Sequence, residues 1–200
     1  MDTIHLKSYA PPSLDRREIL RYAGARGEEH AFDRLLDECL AELDGKCIYR
    51  VCYQEFTIFK ADGILDLGFM KTDSKSLCRH LAGCESAVVF AATVGVEIDR
   101  LIARYGRTSP AKALFFQAIG TERIEALCEL FCEELQKEKD EKGFSLRPRF
   151  SAGYGDFPLE AQKEIFSSLD CARKIGLTLN HSLMMSPTKS VTALIGVAKK

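Results

Sequence analysis

Arg147-Pro148-Arg149-Phe150-Ser151-Ala152-Gly153-Tyr154-Gly155-Asp156-Phe157-Pro158-Leu159 is the stretch from which the rest of the chain is read. Pro148 cannot donate a backbone hydrogen bond and biases Arg147 toward an extended conformation, so neither arginine continues a helix. Gly153 and Gly155 bracket Tyr154 and allow positive φ or a close backbone approach. Asp156, two residues before Pro158, reads as the cap of a helix that begins at the proline. The stretch therefore predicts an extended segment, a glycine-hinged loop and a helix start. Such a loop offers free backbone N–H groups, guanidinium forks and an aromatic face to one small ligand. The other reading of the same residues is a glycine-rich connection with solvated arginines.

Downstream, the pattern gives a helix through Leu169, a short one at Cys171–Ile175 and a strand at Leu177–Leu179. A β-branched, apolar strand closes the segment His181–Val197. Upstream lies the longest element, a helix from Ser109 to about Lys142 opened by Ser109-Pro110. Phe116, Gly120, Ile124, Leu127, Phe131 and Leu135 recur on it at helical steps, with Phe115, Ile119, Ala126 and Leu130 as a second row. Glu125 borders the apolar side, in line with Leu114, Ala118, Thr121, Cys128 and Cys132. Glu122, Glu129 and Glu133 fall toward the polar side. A carboxylate at such a border needs a partner or a role, whether an arginine, solvent or a ligand.

Ala87–Thr93 is an uninterrupted apolar run, expected as a central strand, and a helix begins near Glu97 and closes at Gly106. Cys47–Ala61 and Ile64–Phe69 around the Asp62-Gly63 turn predict an antiparallel hairpin with one buried face. Asp73–Leu81 is a short helix. The helical N-terminal part, about residues 13–45, holds one helix capped by Ser13 and another from Glu28 to Leu43. With no linker or repeat, the chain reads as one α+β domain over residues 1–200.

Lysine plus arginine number 28 and aspartate plus glutamate 29, so a net charge of −1 gives no electrostatic case for nucleic acid. No apolar run is long enough to span a membrane, and Met1–Pro12 is too polar for a signal peptide. The expected location is the cytoplasm. The eight cysteines form no CxxC pair, which favours small buried hydrophobes in a reducing compartment over a zinc site. Cys128 and Cys132 stand one helical turn apart, but no histidine pattern joins them, and no metal is expected.

The chain has no GxSxG elbow, HExxH, Walker loop or GxGxxG after a strand. His80 and His181 have no sequence neighbours that suit a hydrolase. A binding site remains: a guanidinium for a carboxylate, glycine backbone for a flat group, and tyrosine or a carboxylate near a cation. A zwitterionic sulfonium would use all of these.

Arg149-x-Ser151-x-Gly153-Tyr154, a proline-started helix and M-M-S-P-T-K-S-V-T-A-L-I-G at Met184–Gly196 together resemble the activation (reactivation) domain of cobalamin (vitamin B12)-dependent methionine synthase. A-A-T-V-G-V-E-I-D at Ala91–Asp99 and the long Ser109 helix belong to the same likeness, as in a short, free-standing member. The resemblance implies a C-shaped α+β fold built on a bent antiparallel β-sheet flanked by helices. It implies S-adenosylmethionine as ligand and a partner, a methionine synthase or related corrinoid protein carrying cobalamin. It also implies a flavodoxin-type electron donor, with reductive methylation of cob(II)alamin as the reaction supported. The chain would then be one component of a methyltransferase.

Carried over, Arg149 would bind the methionyl carboxylate and Glu125 the ammonium. Ser151 and Gly153 would give backbone contacts, and Tyr154 would sit near the sulfonium or the cobalamin approach, the one candidate catalytic position. Asp15 is the candidate for the family's N-terminal aspartate. Two departures stand out: Gly155-Asp156-Phe157 separate the Gly-Tyr pair from Pro158, and the family's C-terminal ligand-contacting tyrosine has no match before Lys200. The missing tyrosine motivates an alternative, a non-catalytic interaction or chaperone module for a corrinoid protein.

Overall fold

The Ala87–Thr93 run forms the middle of a five-stranded antiparallel sheet. Its side chains alternate between two cores: Val88, Phe90 and Ala92 enter one, and Ala87, Val89 and Ala91 the other. A strand buried on both faces has no polar side, and its sequence is therefore an unbroken apolar run.

The computed structural model describes residues 3–25 and 29–200. In chain order the elements are β1 (His5–Tyr9), α1 (Arg16–Tyr22), α2 (Glu29–Leu43), β2 (Tyr49–Thr57), β3 (Phe59–Ala61), β4 (Ile64–Asp66) and β5 (Lys71–Thr72). Next come α3 (Lys75–His80), β6 (Cys84–Thr93), α4 (Glu97–Tyr105), α5 (Pro110–Glu141) and β7 (Phe144–Phe150). A short 3-10 helix (Leu159–Ala161) leads into α6 (Gln162–Ser168), α7 (Cys171–Ile175), β8 (Thr178–Leu179), β9 (Met185–Ser186) and β10 (Ser190–Lys199). The main sheet runs β1-β2-β6-β10-β7. Helices α1, α2, α4 and α5 cover one face, and α3, α6, α7 and the small β3-β4-β5 sheet pack on the other. This is the expected α+β arrangement of an antiparallel sheet flanked by helices.

Helix α5 starts at Pro110 as its sequence predicts, and buries Phe116, Ile119, Leu127, Phe131 and Leu135 against the sheet. Gly120 is required there: a Cβ would lie 2.8 Å from Lys189 Cγ and 2.9 Å from Ile98 Cγ2. No helix among the described residues is long and apolar enough to cross a membrane.

Several local expectations are corrected. The cap of α1 is Asp15, not Ser13; its carboxylate accepts from the Arg17 and Glu18 amides. Cys47–Ala61 is not one arm of a hairpin. β2 stops at Thr57 and joins the main sheet, and only β3 and β4 pair across Asp62-Gly63. Both turn residues have positive φ, as a tight hairpin turn demands. Phe59 is 66% exposed and Ile64 41%, so the buried face of the expected return strand is carried by Leu65 and Leu67, with Phe69 partly buried beside them. β1, polar in sequence, is an edge strand paired with β2. Glu28, placed at the start of the second helix, lies outside the described residues.

Candidate functional site

The site is built at the seam between β7 and α5, where a bulge decides which way Arg149 points. Along β10, Ile195 pairs with Arg149 and Val197 with Leu146, so Arg147 and Pro148 together stand opposite the single residue Gly196. In a regular strand Leu146 and Arg149, three apart, would face opposite sides. The extra residue puts both on the α5 side, the re-aiming that bulges commonly perform. Gly196 makes room for it: a Cβ would lie 2.7 Å from Cys84 Sγ, 2.8 Å from Leu81 Cδ2 and 3.1 Å from Arg147 Cγ.

So aimed, Arg149 donates from Nη2 to Glu125 Oε2 at 2.8 Å. The side chains of both partners remain about a third exposed, at 29% and 38%. Burial, the largest single influence, disfavours the Arg149 charge, but the Glu125 hydrogen bond and the surrounding electrostatics of Glu125 and the two cysteines together outweigh it and hold the guanidinium above its ordinary pKa. The Cys128 thiol is pushed up to about 12 by burial, partly offset by Arg149, and Cys132 to about 11 for the same reasons. Both are therefore neutral thiols at physiological pH, unlike metal-binding thiolates. Among the described residues no group of three or more His, Cys, Asp or Glu is placed to hold a metal ion.

Glu125 and Arg149 belong to two different grooves. Glu125 lines one of about 540 Å³ between the N-terminal segment and α5, with Asp15, Glu18, Glu122, Glu129 and Glu133 also in its wall. Arg149 lines the other, about 570 Å³ and mostly apolar, with Leu146, Pro148, Cys132 and Ile195. The charge pair spans them. Asp15 thus shares a groove with Glu125, although its carboxylate is engaged in capping α1. Glu122, read from sequence as polar-side, is instead the buried carboxylate of α5: it is 4% exposed, pairs with Arg123 at 2.5 Å and accepts from the Asp15 amide.

The loop after β7 is less open than its composition implies. Ser151 Oγ donates to the Thr192 carbonyl at 2.8 Å. Gly153, at φ +92°, donates its amide to Phe157 O, Tyr154 to Ser151 O and Phe157 to Tyr154 O. The N–H groups of Gly153 and Tyr154, expected to be free for a ligand, are spent within the loop. Tyr154 is 65% exposed, and its ring rests 6.0 Å from Phe150, whose side chain belongs to the core on the far side of the sheet from α5. The fold joins Arg149 to Glu125 directly and keeps Ser151 and Gly153 in the adjoining loop, while Tyr154 packs separately.

Asp156 does not cap the following helix. It reaches back to α3, accepting from Ser74 Oγ (2.6 Å) and from the amides of Lys75 and Ser76 (2.9 Å each). These bonds, Ser74 first, hold its carboxyl well below the usual range. At the other end of α3, His80 Nε2 lies 2.8 Å from Pro148 O, and a carbonyl only accepts, so this nitrogen carries the proton. Sequence reasoning set His80 aside and gave Thr192 and Gly196 no role of their own within the Met184–Gly196 segment. For Gly196 alone there was a signal, since an interior strand glycine often marks a bulge.

A family model described as "Vitamin B12 dependent methionine synthase, activation domain" matches residues 78–200. The chain belongs to this family. The matched part of the activation domain takes in β6, α5, β7, the loop and β10, and with them Glu125, Arg149, Ser151, Gly153 and Tyr154. Among solved structures, the activation domain resembles the crystal structure of the MetH reactivation domain bound to AdoHcy, with a TM-score of 0.69 and 14% identity over 97% of this chain and 78% of that one. At that identity the likeness establishes the shared fold. No curated protein matches the chain.

Proposed function

We propose that this activation domain binds S-adenosylmethionine at the Arg149–Glu125 seam and supports reductive methylation of cob(II)alamin on a cobalamin-dependent methionine synthase or related corrinoid methyltransferase. The observation that carries the reading is the juxtaposition of Glu125 and Arg149, 2.8 Å apart across α5 and β7. An α-amino acid carries an ammonium and a carboxylate at a fixed short separation. A cation and an anion side by side, each about a third exposed, complement both. Arg149 is assigned to the carboxylate and Glu125 to the ammonium, with further carboxylates behind it in the acidic groove.

Ser151 and Gly153 line neither groove and act through the loop that follows Arg149, since the Ser151 hydroxyl and the Gly153 amide are already engaged. Any backbone contact from them uses atoms other than that amide. Tyr154 offers an exposed ring at the loop tip, suited to the approaching cofactor face of a partner. A cobalamin carried by the partner would supply the methyl acceptor once a flavodoxin-type donor had given it an electron, and S-adenosylhomocysteine would be left in this site. This chain's own work is to bind and orient the methyl donor.

Calorimetric titration of S-adenosylmethionine into wild type and Arg149→Ala tests the reading. Losing one charge-assisted bond should cost about 1.5–3 kcal/mol, roughly 10- to 150-fold in Kd. Equal affinity in a folded Arg149→Ala variant removes the site. A second reading, a non-catalytic interaction module for a corrinoid protein, draws support from the closed Arg149–Glu125 pair and from Tyr154 packing on Phe150. It expects complex formation with the corrinoid partner to be indifferent to the ligand.

A further inference from the structure

Helix α3 is fastened to β7 and the loop after it at three points. At its N-terminal end Asp156 accepts from Ser74 Oγ, Lys75 N and Ser76 N. In its first turn Ser76 packs so closely on Gly155 that a Cβ there would lie 2.5 Å from Ser76 Oγ. At its C-terminal end His80 donates to Pro148 O at 2.8 Å, with its ring 4.8 Å from that of Phe150. The segment held between these points, 149–155, contains Arg149, Ser151, Gly153 and Tyr154.

We propose that α3 is a clamp for the candidate ligand site, with His80 as the positioning residue for Arg149 and Asp156 as the anchor that keeps the bulge in place. This rests on the function proposed above. The argument is one of register. The bulge stores one extra residue opposite Gly196, and Arg149 faces Glu125 only while that residue stays there. If the bulge drained into the following loop, every residue between would slip by one. Arg149 would then turn to the face away from α5. Two contacts oppose the slip. His80 holds the bulge carbonyl, Pro148 O, and Asp156 fixes the far end of the loop so that it has no slack to accept a residue. Neither side chain lies in the two grooves that Glu125 and Arg149 line.

The test uses His80→Ala, His80→Gln, which keeps a donor, and Asp156→Asn, an exposed change that spares the core. Two readouts are taken on the full chain: the Arg149 Nε–H signal by NMR without ligand, and calorimetric affinity for S-adenosylmethionine with Arg149 present and in an Arg149→Ala background. The clamp predicts that His80→Ala moves or broadens the Arg149 signal and weakens binding at least fivefold. It predicts that this weakening vanishes once Arg149 is gone, and that His80→Gln restores most of it. Asp156→Asn should disturb the same signal and answers the question should His80→Ala not fold. An unmoved Arg149 signal in a folded variant overturns the clamp, as does a binding loss equally large without Arg149. If the wild type binds no S-adenosylmethionine, the proposed function falls, and the ligand-free Arg149 signal alone decides the clamp.

Discussion

Gly196 of β10 stands against Cys84 of β6 so closely that a methyl group at 196 would come within 2.7 Å of the sulfur. The contact lies beside the β7 bulge, and it makes the smallest side chain a requirement for aiming Arg149.

Gly196→Ala should therefore be disproportionately costly for one added carbon. Overpacking of this kind destabilises by about 1–3 kcal/mol, which for a chain of this size lowers Tm by roughly 2–12 °C. Thermal unfolding checks it, and trimming the neighbour in Gly196→Ala/Cys84→Ala should recover part of the loss. Wild-type stability in the single variant would show that the strand relaxes freely.

Glu125→Gln should separate stability from binding. The pair with Arg149 is partly exposed, so its loss should cost less than about 1 kcal/mol. Affinity for S-adenosylmethionine, which on the proposed reading needs the carboxylate, should fall by about tenfold or more. Urea unfolding and calorimetry on the same preparation compare the two. A large stability loss with unchanged affinity would make the pair a structural brace.

Glu122→Ala should behave in the opposite way. Glu122 and Arg123 are 4% and 5% exposed, and Arg123 also donates to Pro12 O and Ser13 O. Removing one member strands a buried guanidinium, at a cost of about 3–5 kcal/mol. Because this pair pins residues 12–15 to α5, early proteolytic cleavage near Pro12–Asp15 should accompany the fall in Tm.

Acid should weaken the Asp156 anchor. Its carboxyl is held below the ordinary range in the fold, so its contribution is complete above the unfolded-state value, about 3.9, and disappears as pH falls through the folded one. The stability difference between wild type and Asp156→Asn should be level near neutrality and shrink below about pH 4. Urea melts across that range measure it. A difference that persists unchanged in strong acid would mean that the carboxylate charge contributes nothing.

What could be read in advance follows from whether the physics is local. β6 was legible because a strand buried on both faces is apolar throughout. The start of α5 was legible because Ser109-Pro110 acts on its own turn. β1 was not, because an edge strand with the exposure of His5–Tyr9 carries little apolar signal. The Asp156 assignment failed for a related reason: capping residues act on any N-terminus within reach, and this one serves a helix some eighty residues earlier in the chain. Arg149 and Glu125 were each singled out, but that they meet depends on a bulge set by Gly196, Cys84 and Leu81, three positions that no local pattern connects.

The bulge has a consequence for self-association. β7 is the outermost strand beside β10, and an outermost strand with an unbroken row of N–H and C=O groups is a template for another chain. Here Pro148 removes one donor, arginines flank it on both sides, and the extra residue spoils the spacing. The irregularity that turns a guanidinium toward α5 also guards this margin of the sheet against aggregation.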